Sequence, residues 1–191
     1  MLTLSIRHQI IIGFLLVALM IMTRSHHFAT LYSLADASWA IFFLAGVYLR
    51  SAWPLLALIV LGGWLDFAAV NWGGVDDFCI SPAYMFMLPA YFSLWLAGRW
   101  YAQRHQFSWH TFLPLGTSIL VGLTLCELLS GGGFYFFSGR IADTNLQAFG
   151  EQVVKYFPLY IETFLSYTVI AILIHTFLVL LHRHSNRAVI R

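Results

Sequence analysis

The chain has 191 residues, of which 60% are hydrophobic and only 9% are Asp, Glu, Lys or Arg, and its formal net charge is +2. A soluble domain carries about a quarter charged residues, so this composition excludes a soluble globular protein. The apolar runs are long and continuous and do not alternate with polar residues, which predicts an all-α integral membrane protein.

Six transmembrane helices are predicted, and together they form one domain over residues 1–191. In chain order they cover residues 7–22, 32–49, 53–70, 81–98, 112–129 and 153–181. Most of them approach the roughly 20 residues needed to cross a bilayer. The first apolar run has no small-x-small cleavage site after Met22, so we expect it to be retained as the first span.

The distribution of Lys and Arg predicts that both termini face the cytoplasm. In this orientation the inner segments hold Arg7, Arg50, Arg99, Arg104, Arg183, Arg187 and Arg191, and the outer segments hold Arg24, Arg140 and Lys155. All eight acids lie in outer loops or in the outer halves of spans. Because acids do not set topology, this second asymmetry indicates a polar cavity open to the outer side.

The stretch from residue 62 to residue 84 is a polar, aromatic interruption between two apolar spans. Ser81 and Pro82 are predicted to be the N-cap and first residue of the fourth helix. Cys79 then lies just before a helix N-terminus, on the outer side. The helix dipole favours a thiolate there, and a thiolate is a soft ligand for a transition metal. The alternatives are an inert buried cysteine and a disulfide with Cys126.

Three carboxylates are predicted within spans, where they are costly and face the bundle interior or a watery cavity. They are Asp66 in the third span, Glu127 in the fifth and Glu162 in the sixth. We interpret them as candidate cavity residues. The alternative is ion pairing with Arg140 or Lys155, or hydrogen bonding to buried tyrosine and tryptophan.

The outer connection 130–152 carries three consecutive glycines followed by four aromatic residues, Phe134 to Phe137. This pattern predicts a mobile lid with an apolar face. His26 and His27, in the first outer loop, are weaker candidate ligands. The chain has no nucleophile–base triad, no CxxC and no Walker motif, so it does not use ATP itself. An aromatic-walled cavity with few polar groups suits a large amphipathic solute.

These features resemble the substrate-binding S-components of the energy-coupling-factor (ECF) vitamin transporters, which have six compact spans and an outer site. Within that family the chain is similar to the BtuM group, the solitary cobalamin-uptake members. The similarity is carried by the glycine-aromatic loop and by Trp64-Leu65-Asp66, Asn71-Trp72-Gly73, Asp76-Asp77-Phe78-Cys79 and Ser81-Pro82-Ala83-Tyr84.

The resemblance implies a bacterial inner-membrane protein that binds cobalamin, or a related corrinoid, on its periplasmic side and carries it across. Cys79 would be the axial cobalt ligand, and its thiolate would promote loss of an upper ligand such as cyanide. The predicted cobalamin-binding residues are Asp66, Tyr84, Trp64, Asn71, Trp72, Asp76, Asp77, Phe78 and Tyr135. Many S-components carry an AxxxA-type stripe on the first helix for the ECF coupling module, and residues 13–22 lack one, which makes that partner doubtful.

Two other functions stay open on the sequence alone. One is a small membrane redox or cofactor-handling enzyme that uses Cys79 with or without Cys126, and the other is a non-catalytic membrane assembly subunit. The expected partners are the corrinoid and the lipid bilayer, and no nucleic acid is expected. The colour of the purified protein separates the transporter from the other two, because a cobalamin complex is pink or red.

Overall fold

The computed structural model describes residues 4–24, 35–74, 81–106 and 108–189, and every regular element within these ranges is helical. The helices are α1 (Ile6–Arg24), α2 (Ser38–Tyr48), α3 (Trp53–Trp72), α4 (Met87–Arg104), α5 (Phe112–Phe137) and α6 (Leu146–Val189). Short 3₁₀ turns at Pro82–Phe86 and Trp109–Thr111 lead into α4 and α5. The all-α prediction is therefore confirmed.

Four helical segments in the described part of the chain are long and apolar enough to cross a membrane. They are Ile6–Arg24, Trp53–Trp72, Trp109–Phe137 and Leu146–Phe177. α2 is apolar but has only 11 residues, and α4 has Arg99, Gln103 and Arg104 in its final turns. The long apolar helices indicate a membrane-embedded protein, as the composition predicts.

α2 lies at the centre of the bundle, with nine of its 11 residues buried. It packs most closely against α4, and α4 packs as closely against α5. α1 and α3 contact α2 from another side, whereas α6 contacts both α2 and α5. The two helices least suited to contact lipid alone, α2 and α4, thus supply most of the core.

A pair of glycines determines how closely α2 and α4 approach. A Cβ atom added to Gly46 would overlap the carbonyl oxygen of Trp95, and one added to Gly98 would overlap the carbonyl oxygen of Phe43. The two helices therefore cross backbone to backbone, each through its own glycine. Small residues at such crossings allow van der Waals packing that lipid cannot replace.

The prediction of a mobile lid at residues 130–152 is wrong for its first part, because residues 130–137 continue α5 as helix. The glycines there allow close packing. A Cβ on Gly131 would lie 2.7 Å from Glu127 Oε1, and one on Gly133 would lie 2.5 Å from Phe86 Cγ. The turn that ends α5 comes at Gly139, whose φ of +69° favours glycine.

Other helix boundaries also differ from the prediction, and α4 ends at Arg104, not at residue 98. α2 begins at Ser38, not at residue 32, and residues 25–34 lie outside the described ranges. Ser81 is extended and Pro82 is the first helical residue, as predicted, but the Ser81 side chain makes no capping hydrogen bond within the described structure. α6 begins at Leu146, earlier than residue 153, and continues through Pro158.

Candidate functional site

A buried ion pair joins α1 to α3. The guanidinium of Arg24, the last residue of α1, donates from Nε to Asp66 Oδ1 and from Nη2 to Asp66 Oδ2, both at 2.7 Å. The side chain of Arg24 is 8% exposed and that of Asp66 is 26% exposed. Two parallel hydrogen bonds of this kind are the strongest arginine–carboxylate geometry, so the pair fixes α1 and α3 against each other at this end of the bundle.

The same guanidinium connects the pair to α2 and α4. Its Nη1 donates to Ser38 Oγ at 2.8 Å and to Tyr91 Oη at 2.9 Å. Ser38 Oγ in turn donates to Asp36 Oδ1 at 2.6 Å. We call these residues, together with Asp66 and Tyr84, the Arg24 cluster. It contains one cation and two carboxylates, so an arginine inside the bundle is balanced by charge and by hydrogen bonds.

Tyr84 completes the Arg24 cluster from the 3₁₀ turn before α4. Its hydroxyl donates to Asp66 Oδ2 at 2.6 Å, so one carboxylate oxygen accepts from both a tyrosine and an arginine. Gly62 and Gly63 of α3 lie next to these side chains, since an added Cβ would be 3.5 Å from Arg24 Cζ and 3.9 Å from Tyr84 Oη, both ordinary contact distances.

Two aromatic and hydroxyl contacts hold the other side of the Arg24 cluster. The ring of Tyr91 stacks on Phe42 with centroids 4.1 Å apart, and this positions the Tyr91 hydroxyl toward Arg24. Thr23 Oγ1 accepts from the backbone N–H of Ala37 at 3.3 Å. The end of α1 is therefore attached to the beginning of α2 through both Thr23 and Arg24.

The structure places the tryptophans of the predicted site away from Asp66. A helix turns by 100° per residue, so Trp64 and Asn71 lie on the opposite face of α3 from Asp66. Trp64 is 56% exposed and Trp72 is 67% exposed, and their ring centroids are 6.0 Å apart. The Asn71 amide donates to the backbone oxygen of Phe67 at 2.8 Å. These residues form a separate aromatic surface at the same end of α3.

Tyr135 is also separate from the Arg24 cluster. It is buried near the end of α5, where its ring contacts Phe136 and Phe149. Its hydroxyl accepts from the backbone N–H of Asn145 at 3.4 Å. This arrangement joins α5 to the turn before α6, so Tyr135 has a packing role in the structure.

The predicted metal ligand and its neighbours lie outside the described residues. They are Asp76, Asp77, Phe78 and Cys79, and the histidines His26 and His27 lie outside them as well. Cys126 is described, and it is a free, fully buried thiol, not a disulfide partner. Among the described residues no group of three His, Cys, Asp or Glu side chains is placed to hold a metal ion.

The other two carboxylates differ from each other. Glu127 is only 7% exposed, and it lies beside the helix turn at Gly131. Glu162 is exposed on α6. Neither carboxylate pairs with Arg140 or Lys155 in the described structure, where the ion pair is Arg24–Asp66.

Sequence reasoning did not include Arg24, Ser38 or Tyr91 among the predicted binding residues. It counted Arg24 as an outer loop cation and named Arg140 and Lys155 as partners for the intramembrane acids. A signal was present, because Arg24 directly follows an apolar helix and a carboxylate within a span needs a nearby partner. Comparisons of the chain with protein-family models and with curated proteins gave no match.

Proposed function

We propose that this protein is a six-span bacterial inner-membrane protein that binds cobalamin on the periplasmic side and carries it across the membrane. The observation that carries the proposal is the 2.6 Å hydrogen bond from Tyr84 Oη to Asp66 Oδ2. Both residues are pocket residues in the resemblance to the BtuM group, and they lie 18 positions apart in the chain. Their contact supports a common site at one end of the bundle.

The charge distribution supports an orientation with both termini in the cytoplasm. Arg24 is neutralised by Asp66 inside the bundle, so it does not act as a loop charge. Without Arg24, the outer segments contribute two cations, Arg140 and Lys155, and the inner segments contribute seven arginines. The greater asymmetry favours the proposed orientation by the positive-inside rule.

Cys79 is the proposed ligand to the cobalt of the bound substrate. It precedes Ser81 by two residues, so covalent geometry keeps their Cα atoms within about 7 Å of each other. The backbone oxygen of Ser81 accepts from the N–H of Tyr84 at 2.9 Å, which links that position to the Tyr84–Asp66 contact. The aromatic surface formed by Trp64, Phe67 and Trp72 lies on α3, at the end of the helix that leads toward Cys79 in the chain.

A thiolate ligand also accounts for the proposed removal of an upper ligand. The sulfur donates an electron pair to Co(III), and the benzimidazole nitrogen leaves the lower face with its own pair. Cyanide then leaves the upper face with the electron pair of its bond to cobalt. The metal stays Co(III) throughout, so this step needs no external reductant.

The absorption spectrum of the purified protein with and without cobalamin tests the function. We expect a pink or red complex in near-stoichiometric amount. A colourless protein that shows no binding by calorimetry would refute the transport proposal and would favour the redox enzyme or the assembly subunit.

Two cysteine variants test the proposed cobalt ligand. Cys79→Ala should shift the spectrum and weaken cobalamin retention. Cys126→Ala is the matched control, because Cys126 is fully buried in α5 and should leave the spectrum unchanged. An unchanged spectrum in Cys79→Ala would remove the cobalt-ligand role while leaving cobalamin binding itself intact.

A further inference from the structure

A groove runs along the contact between α4 and α5, away from the Arg24 cluster. Its volume is about 570 Å³, and it is lined from Ser93 to Gln103 on α4 and from Thr117 to Leu125 on α5. The two helices pack closely at Gly122, where an added Cβ would lie 2.8 Å from Ala97 Cβ. This volume lies within the range of about 300–1,000 Å³ that is usual for ligand pockets.

The length of the groove matches one membrane leaflet. Ser93 and Gln103 are ten positions apart on α4, which corresponds to about 15 Å of helix. The hydrocarbon core of a bilayer is about 30 Å thick, so the groove extends through about half of it. A linear apolar chain from a single leaflet fits this length.

Five of the ten side chains that line the groove are polar, and three of these five carry hydroxyl groups. The hydroxyls of Ser93, Thr117 and Ser118 each donate to a carbonyl oxygen of their own helix, at 2.7–2.9 Å. The hydrogen-bonding groups left to meet a ligand are Arg99 and Gln103, which lie toward the C-terminal end of α4. The groove therefore has its charged and amide side chains at one end, and the hydroxyls along the rest of its length donate within their own helices.

The polar end of the groove carries excess positive charge. Arg99 Nη1 donates to the backbone oxygen of Leu49 at 2.8 Å, and its guanidinium lies 5.2 Å from the Trp95 ring. No carboxylate among the described residues pairs with Arg99. The guanidinium of Arg104 lies 4.1 Å from the ring of Trp100, which lines the groove. Arg99 thus lines the polar end of the groove and Arg104 contacts a residue that lines it, so the charge at this end favours an anion.

We propose that this groove binds an anionic phospholipid, with one acyl chain along α4 and α5 and the phosphate held by Arg99 and Arg104. Arginine recognises phosphate oxygens by paired hydrogen bonds, and basic pockets between transmembrane helices bind anionic head groups. A zwitterionic lipid would fill the groove but would not supply the net negative charge that pairs with the arginines. The lipid belongs to the leaflet on the side of Arg99, and its binding does not depend on the cobalamin proposal.

Native mass spectrometry of the whole protein in detergent, with added phosphatidylglycerol or phosphatidylcholine, tests the proposal. We expect phosphatidylglycerol to be retained preferentially, by roughly fivefold for each arginine that contacts it. Excess inorganic phosphate should not displace it, because a free anion does not occupy the apolar groove. Equal retention of the two lipids, or displacement by phosphate, would overturn the proposal.

Variants separate the two halves of the proposed site. Val121→Trp fills the groove and keeps both arginines, so it should lose the bound lipid. Leu120→Trp is the matched control, because Leu120 is the neighbouring exposed residue and does not line the groove. Equal lipid retention in these two variants would refute binding in the groove.

The arginine variants test the head-group contact. Arg99→Gln should reduce the preference for phosphatidylglycerol by about fivefold. Because Arg99 also donates to Leu49, Arg104→Gln is the second variant, and it leaves that hydrogen bond in place. A preference that is unchanged in the folded Arg104→Gln protein would contradict the two-arginine site.

Discussion

Replacement of Asp66 by asparagine tests whether the Arg24 cluster holds the helix ends together. The substitution leaves Arg24, whose side chain is 8% exposed, without its ionic partner. Removing one member of a buried pair costs about 3–5 kcal/mol, whereas an exposed pair contributes about 0–1 kcal/mol. Since Asp66 is 26% exposed, we expect a loss of about 2–3 kcal/mol, between these limits.

Thermal unfolding in detergent measures this loss. For a chain of this size, 1 kcal/mol corresponds to about 2–4 °C in Tm, so Asp66→Asn should lower the Tm by about 4–12 °C. Arg24→Gln and the double variant complete the cycle. The double variant should lose less than the sum of the single losses, because it no longer buries an uncompensated charge.

The control is Asp143→Asn, which removes an exposed carboxylate from the turn between α5 and α6. If Asp66→Asn lowers the Tm no more than Asp143→Asn does, the ion pair does not stabilise the bundle. Strict additivity of the Arg24 and Asp66 variants would also refute the reasoning, since it would show that the two side chains act independently.

Two further predictions concern the core and the turn before α5. Gly98→Val should lower the yield of monodisperse protein on size exclusion, because the added side chain meets the Phe43 carbonyl. The control Gly116→Ala should not lower it, because Gly116 has open space around it. Equal yields of the two variants would contradict the close crossing of α2 and α4. Burial and the nearby His175 lower the pKa of His105. The contribution of His105 to the stability of the fold is therefore complete above about pH 6.5 and is lost as the pH falls through the lowered pKa. Between about pH 7.5 and 5.5, the Tm of His105→Gln should therefore vary less with pH than the Tm of the wild-type protein. The same pH profile of Tm in both proteins would contradict this role of His105.

The helical architecture was largely predictable because it depends on local hydropathy. All six helices occur where the sequence predicts an apolar span, although the boundaries of α2, α4, α5 and α6 differ by several residues. Hydropathy does not report which helix is enclosed by the others. The short α2 and the arginine-bearing α4 therefore look like ordinary spans in the sequence, although together they form most of the core.

The candidate site was predicted less completely. Asp66 and Tyr84 were both named, but the partner of Asp66 depends on how α1 packs against α3, and no local pattern reports this. The three glycines at 131–133 were interpreted as flexible because glycine is common in aqueous loops. In a membrane bundle a small residue also permits close packing, and the contact of Gly133 with Phe86 is of this second kind.

The crossing of α2 and α4 through Gly46 and Gly98 has a consequence for how the protein enters the membrane. α2 is about 16 Å long, too short to span the hydrocarbon core alone, and α4 carries two arginines near its end. Neither helix is well suited to insert into the membrane alone. When α2 and α4 pack against each other, the surfaces in their contact are removed from lipid. We expect biogenesis to keep α2 in a protected environment until α4 has been synthesised, so errors at this crossing should appear first as failed insertion.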